Sequence, residues 1–112
     1  MAKVGVQPFT VCLAKFRFLE SDQYKIRPVI VVGQPYGVRQ VLMSIPVTSS
    51  SEQEPVDVLL QNWRNSGLLK PSVARVHRLS AILQNDLLEE IGSIDKKDQA
   101  AIKSALKELL ML

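Results

Sequence analysis

Four consecutive β-branched residues, Val29-Ile30-Val31-Val32, sit between Pro28 and the turn-rich stretch Gly33-Gln34-Pro35-Tyr36-Gly37, and no other feature of the chain restricts its fold as much. A short, continuously apolar run of this kind reads as a central strand covered on both faces. The residue ahead of a proline is pushed out of the helical region into an extended conformation, so Arg27 is fixed at the entrance to that strand. Its guanidinium is charged at any physiological pH and offers a planar fork of donors suited to phosphate. Arg27 is therefore the first candidate for chemistry; the plain alternative is an exposed arginine beside a strand.

The flanking segments carry the same β character. Val11 to Phe18 interleaves apolar and polar residues as a strand with one well-buried face, and Glu20-Ser21-Asp22-Gln23 follows as a polar loop. The Gly33–Gly37 cluster predicts a hairpin into Val38 to Val47, where Val41, Met43, Ile45 and Val47 alternate with smaller or more polar neighbours. Thr48 to Pro55 is a polar connection, Val56 to Leu59 alternates again, and Asn62 to Gly67 reads as a turn. If Leu68 to Leu79 forms one strand, Val73, Arg75 and His77 share a face, with Ala74, Val76 and Arg78 on the other. Ile102, Ala105, Leu106, Leu109 and Leu110 recur at helical spacing, which predicts an amphipathic helix from about Lys96 to Leu110, with Asp95 as N-cap and Asp98 at its positive end. The expected fold is a small, mostly antiparallel β domain with a C-terminal helix: an open barrel or strongly bent sheet over residues 1–112.

Composition narrows the function. A chain of 112 residues with 46% hydrophobic content suits one domain with a real core. The net charge of +3 favours an anionic partner, nucleic acid or an acidic protein. Cys12 is the single cysteine, so no internal disulfide forms, and its place in an apolar run gives it neither a redox nor a metal role. No apolar run approaches the roughly 18 residues of a membrane span, and the N-terminus has no long apolar signal-peptide core. The expectation is a soluble, cytoplasmic protein that binds no membrane.

Several landmarks occur in a telling order: Phe16-Arg17-Phe18, Lys25-Ile26-Arg27-Pro28-Val29-Ile30-Val31, Ile45-Pro46-Val47-Thr48-Ser49, Gly67-Leu68-Leu69-Lys70-Pro71-Ser72-Val73-Ala74-Arg75 and Ile91-Gly92. In this order and spacing, from Val11 onward, the chain resembles the MazF/PemK (Kid) toxins of type II toxin–antitoxin systems. The resemblance implies an SH3-like open barrel of antiparallel strands and a homodimer. It also implies sequence-specific cleavage of single-stranded RNA without metal or cofactor, and a cognate antitoxin that blocks the RNA groove. By position, the catalytic arginine of the Arg-Pro motif falls on Arg27 and the threonine after the third strand on Thr48. The later arginine of some members falls on Arg75, but the aspartate two residues on is replaced by His77, and Phe9-Thr10 stands where the family has Gly-Asp.

The chemistry can also be built from the residues. Cleavage of RNA without a metal needs a base for the 2′-hydroxyl, donors for the dianionic phosphorane and an acid for the departing 5′-oxygen. Arg27 suits the phosphorane oxygens and, being always charged, does not suit proton abstraction. Thr48 can donate its hydroxyl to a non-bridging oxygen. His77 is the only histidine, and an imidazole titrates near neutrality, which makes it the proton-transfer candidate. Arg75 either joins the site or pairs with a loop carboxylate such as Glu52 or Glu54. Lys15, Arg17, Lys25, Arg39, Lys70 and Arg78 are candidate phosphate contacts, Ser49 a candidate contact on the groove rim, and Phe18, Tyr24 and Trp63 candidate stacking surfaces for unpaired bases. Two other readings stay open. One is a silent RNA- or antitoxin-binding module of the same fold. The other is a gyrase-inhibiting toxin, whose known members resemble one another in a tryptophan near the C-terminus, whereas this chain ends Leu109-Leu110-Met111-Leu112 with its tryptophan at Trp63.

Overall fold

The β-branched run lies inside a strand much longer than itself. In the computed structural model, which describes residues 7–17, 20, 22–50 and 53–112, strand β2 spans Tyr24–Tyr36 and pairs antiparallel with β1, Thr10–Arg17, from Val11↔Ile30 to Arg17↔Tyr24. Arg27 therefore sits within the ladder, opposite Ala14, rather than at its mouth. The hairpin to β3, Val41–Thr48, turns at residues 37–40, later than the glycine-proline cluster predicts. Gly33, with φ +97°, falls where the β2–β3 register shifts between Val32↔Met43 and Tyr36↔Val41. A left-handed residue in mid-strand marks a bulge, so the signal that reads as a turn is spent on bending the strand.

Beyond β3 the strands shorten. β4 is Val58–Leu59, β5 Val73–Ala74, β6 Ser80–Leu83 and β7 Leu87–Ser93. The seven described strands form one antiparallel, unclosed sheet in the order β4-β5-β3-β2-β1-β7, with β6 also on β3. The continuous strand expected over Leu68–Leu79 does not form. After β5 the chain leaves the ladder, Arg75 N–H donates to the Pro46 carbonyl at 2.9 Å, and Val76–Arg78 makes a 3₁₀ turn before β6 resumes pairing with β3. The alternation that put Arg75 and His77 on one strand face is thereby lost. β6 and β7 were not legible in the sequence. Register shifts at Val11/Cys12 and Leu13/Ala14 in the β1–β7 ladder break the two-residue period on which such a reading depends.

Two hydrophobic clusters form. One buries Val11, Ile30, Ile45 and Val47 with Ile102 and Ala105 of helix α1, Lys96–Leu110; the other buries Cys12, Ala14, Phe16, Val29, Val31 and Leu42. The helix has the predicted bounds and cap: Asp95 accepts a hydrogen bond from Asp98 N–H at 2.9 Å and another from the Asn62 amide. These bonds, the backbone one first, pull the Asp95 carboxyl below the usual aspartate range. Asp98 is buried, and its two oxygens accept from the N–H groups of Gln61 and Asn62 at 3.0 Å each. The 61–67 turn is thus pinned to the helix start. Its far end lies against β7 with no room for a side chain: a Cβ on Gly67 would lie 1.9 Å from the Ile91 carbonyl oxygen, and one on Gly92 2.3 Å from that of Ser66. This anchoring fixes the segment that follows, Leu68 to Lys70.

Candidate functional site

A cleft of about 950 Å³ opens between the middle of the sheet and that segment. β2 contributes Lys25, Arg27 and Pro28, and β3 contributes Pro46, Val47 and Thr48, followed by Ser49. Gly67 to Lys70 forms another wall, with Ser72 and Arg75 beyond it, and Leu13, Ile91 and Glu20 complete the lining. Four cationic side chains, Lys25, Arg27, Lys70 and Arg75, thus face a cleft with one carboxylate among its lining residues. Clefts lined by one sign of charge concentrate oppositely charged ligands.

Each cation is placed by the backbone. Lys25 and Arg27 are two apart on β2, and the Arg27 guanidinium donates to the Ile26 carbonyl at 3.2 Å while the side chain stays exposed. Thr48 ends β3 opposite Val73, and its Oγ1 accepts from Ser50 N–H at 3.1 Å. A hydroxyl that accepts in this way keeps its own proton available for a ligand oxygen. Arg75 follows β5 directly; its Nη2 donates to Glu54 Oε1 at 2.5 Å, and its shielded Nε finds no acceptor among the described residues.

The 3₁₀ turn gathers a second charged group beside Arg75. His77 lies between two carboxylates, with Nδ1 2.9 Å from Asp57 Oδ1 and Nε2 2.9 Å from Glu54 Oε2. Arg78 reaches Glu20 Oε1 at 2.5 Å and Glu54 Oε1 at 3.8 Å. The hydrogen bond from Arg78 holds the Glu20 carboxyl below its ordinary range, so it faces the cleft ionised.

Of the sequence candidates, Arg27, Thr48, Arg75, Lys25, Ser49 and Lys70 line the cleft together, whereas His77 and Arg78 stand behind Arg75 and are not among its lining residues. Lys15 is exposed on β1 and pairs with Ile26, on the opposite side of the ladder from Arg27. Arg17 is bound to Asp22 at 2.9 Å, and Tyr24 is exposed opposite it at the end of β1–β2. Arg39 is exposed in the β2–β3 turn, and Trp63 packs against the first cluster with Arg64 stacked on its ring at 4.8 Å. Phe18, like Glu52, lies outside the described residues. Glu54 proves to be the Arg75 partner. Glu20 and Leu69, both in the lining, were not singled out in the sequence, because a loop carboxylate and an apolar residue carry no spacing signal.

The family model of PemK-like, MazF-like toxins of type II toxin–antitoxin systems matches residues 7–110. The chain belongs to this family. Solved structures of MazF proteins share its fold. Mycobacterium tuberculosis toxin MazF-mt6 superposes with a TM-score of 0.71 at 20% identity, covering 92% of this chain and 97% of that one. The MazE-MazF (Form-III) structure from Deinococcus radiodurans gives 0.74 at 18% identity, covering 96% and 99%. A mycobacterial endoribonuclease in complex with its cognate antitoxin gives 0.69 at 16% identity, covering 94% of each chain. Curated proteins give no significant match. In this chain the arginine of the Arg-Pro motif, Arg27, and the threonine that ends β3, Thr48, meet in one cationic cleft.

Proposed function

We propose that this chain is a toxin that cleaves single-stranded RNA without a metal ion, leaving 2′,3′-cyclic phosphate and 5′-hydroxyl ends. The observation that carries the reading is the convergence of Arg27 and Thr48, from different strands, on one cleft with Lys25, Lys70 and Arg75. The 2′-hydroxyl gives its proton to water as its oxygen bonds to phosphorus, the bond from phosphorus to the 5′-oxygen breaks and that oxygen takes a proton from water, and negative charge peaks on the non-bridging oxygens between those events. Arg27 supplies a charged fork there and Thr48 a neutral donor, both in place before the reaction begins. Lys25 and Lys70 hold flanking phosphates, and Ser49 adds a donor at the rim.

The same cleft suits an antitoxin. Leu13, Leu68, Leu69 and Ile91 lie among the cations, and Leu69 is almost fully exposed. An acidic peptide with apolar anchors would satisfy both features and exclude RNA. The functional unit in this reading is a cytoplasmic homodimer. The decisive experiment incubates purified protein with unstructured RNA in EDTA and maps the ends. Cyclic phosphates that disappear with Arg27→Ala support the nuclease. Intact RNA with saturable binding supports the silent module, a reading favoured by His77 at the family's aspartate position with both ring nitrogens already engaged.

A further inference from the structure

Glu54 is gripped in a way that a connecting loop does not need. Its Oε1 lies 2.5 Å from Arg75 Nη2 and 3.8 Å from Arg78 Nη2, while Oε2 lies 2.9 Å from His77 Nε2. The backbone of Glu54 is anchored separately, its N–H donating to Asp57 Oδ2 at 3.0 Å, so the side chain can leave without undoing the loop. It is also 44% exposed, within reach of a competing anion. Arg75 is left half satisfied: Nη2 has one carboxylate oxygen, and the shielded Nε beside it has no acceptor among the described residues. The Nε–H and Nη2–H bonds form one edge of a guanidinium, and a phosphate presents two oxygens to such an edge. A carboxylate divided between Arg75 and His77 gives it only one.

We propose that Glu54 is a resident anion on a second phosphate seat formed by Arg75, His77 and Arg78, and that a phosphodiester of bound RNA takes the seat by displacing it. Arg75 also lines the cleft that holds Arg27, so the second seat meets that cleft through this one side chain. The RNA part rests on the function proposed above; the anion seat does not. With Glu54 in place the groove carries one positive charge fewer toward any passing RNA, and a ligand that cannot reach the seat gains nothing from it.

The test is Glu54→Gln, which keeps the shape and removes the charge. Binding of a fully 2′-O-methylated, uncleavable oligoribonucleotide is followed by fluorescence anisotropy across a salt series. The variant is expected to bind roughly threefold to tenfold more tightly at low salt, with the slope of log Kd against log salt steeper by about 0.7, the share of one single-strand phosphate. In an Arg75→Gln background the same change should do nothing. Glu54→Ala, which leaves the backbone bond to Asp57, should behave as Glu54→Gln does. Unchanged or weaker binding with an unchanged slope overturns the proposal. A second arm measures thermal stabilisation by inorganic pyrophosphate, expected to be larger for Glu54→Gln than for the parent. If neither protein binds RNA but pyrophosphate still separates them, the nuclease reading falls and the seat stands; equal stabilisation of both removes the seat.

Discussion

Among the cleft cations Arg27 alone combines a following proline with a place in the β1–β2 ladder, whereas Lys25 has only the ladder and Lys70 only the proline. Pro28 holds Arg27 extended, and pairing with Ala14 fixes it in the ladder. Preorganised donors act because they need no rearrangement when charge develops, and losing one typically costs a hundredfold or more in rate. Arg27→Ala is therefore expected to lower single-turnover RNA cleavage by at least about a hundredfold while changing RNA affinity by less than about tenfold. An equal loss in both quantities would make Arg27 a binding residue only. His77 leads to a different expectation. Sequence reasoning offers it as the proton-transfer group because it is the only histidine, yet the structure engages both of its ring nitrogens with Asp57 and Glu54, behind Arg75. Acting through Glu54, it should leave the pH–rate profile of His77→Ala with the same limbs as the parent at a lower plateau. A limb lost near neutral pH in that variant would return proton transfer to the imidazole. The legibility of this site follows chemical lines. Arg27 and Thr48 stand next to local signals, a proline and a strand end, and Glu54 is one of the loop carboxylates that charge alone offers to Arg75, whereas Glu20 enters through an ion pair with Arg78 across a sequence separation that no local pattern records.

At the scale of elements, the helix and the first three strands were readable because each carries a long apolar or alternating run, even where a bulge at Gly33 or a shift in the β1–β7 ladder interrupts the pairing. β6, β7 and the 3₁₀ turn were not, because four residues are too few to show a period in β6, β7 meets β1 across two register shifts, and β5 lasts only two residues before the turn. That broken region positions the cleft wall, through contacts only glycine allows. Gly92→Ala would drive a methyl group to 2.3 Å from the Ser66 carbonyl oxygen and 2.9 Å from Gly67 N, both backbone atoms that cannot yield by rotating a side chain. Overpacking of this kind costs about 1–3 kcal/mol, and the displaced 66–70 segment should weaken RNA binding as well. Chemical denaturation with anisotropy in parallel checks both, and normal stability with normal binding would show that the two segments separate freely. The helix start makes a pH-dependent contribution. Asp95 has a carboxyl pKa lowered in the folded state by its hydrogen bonds, so its stabilisation is present above the ordinary aspartate range and is lost as pH falls through the lowered value. The melting-temperature gap between the parent and Asp95→Ala should be constant through neutral pH and close in acid; a gap that persists at low pH would assign the effect to packing.

The whole molecule leaves one face of β3 incompletely covered. Ile45 and Val47 face the first cluster, which includes Ile102 and Ala105 of the helix, and two residues earlier the same side of the strand continues with Met43 and Val41, 38% and 39% exposed. Cross-strand pairing extends this apolar strip to Ala81 and Leu83 on β6 and to Tyr36 on β2. Contiguous exposed apolar side chains on a small protein mark a surface that associates. A twofold contact is self-complementary and would bring this strip against its own copy, which fits the homodimer expected from the family resemblance. A charge placed in the strip would be buried unpaired in a dimer and harmless in a monomer, because Met43 already contacts solvent. Met43→Glu should therefore lower the sedimenting mass to that of a single chain at tens of micromolar without lowering the secondary-structure signal. If the parent itself sediments as a single chain, or the variant dimerises as well as the parent, this strip is not the dimer contact. The RNase assay then separates two designs: loss of cleavage in a folded Met43→Glu monomer means that a complete groove needs both copies, whereas retained cleavage places the whole of the reaction in one cleft.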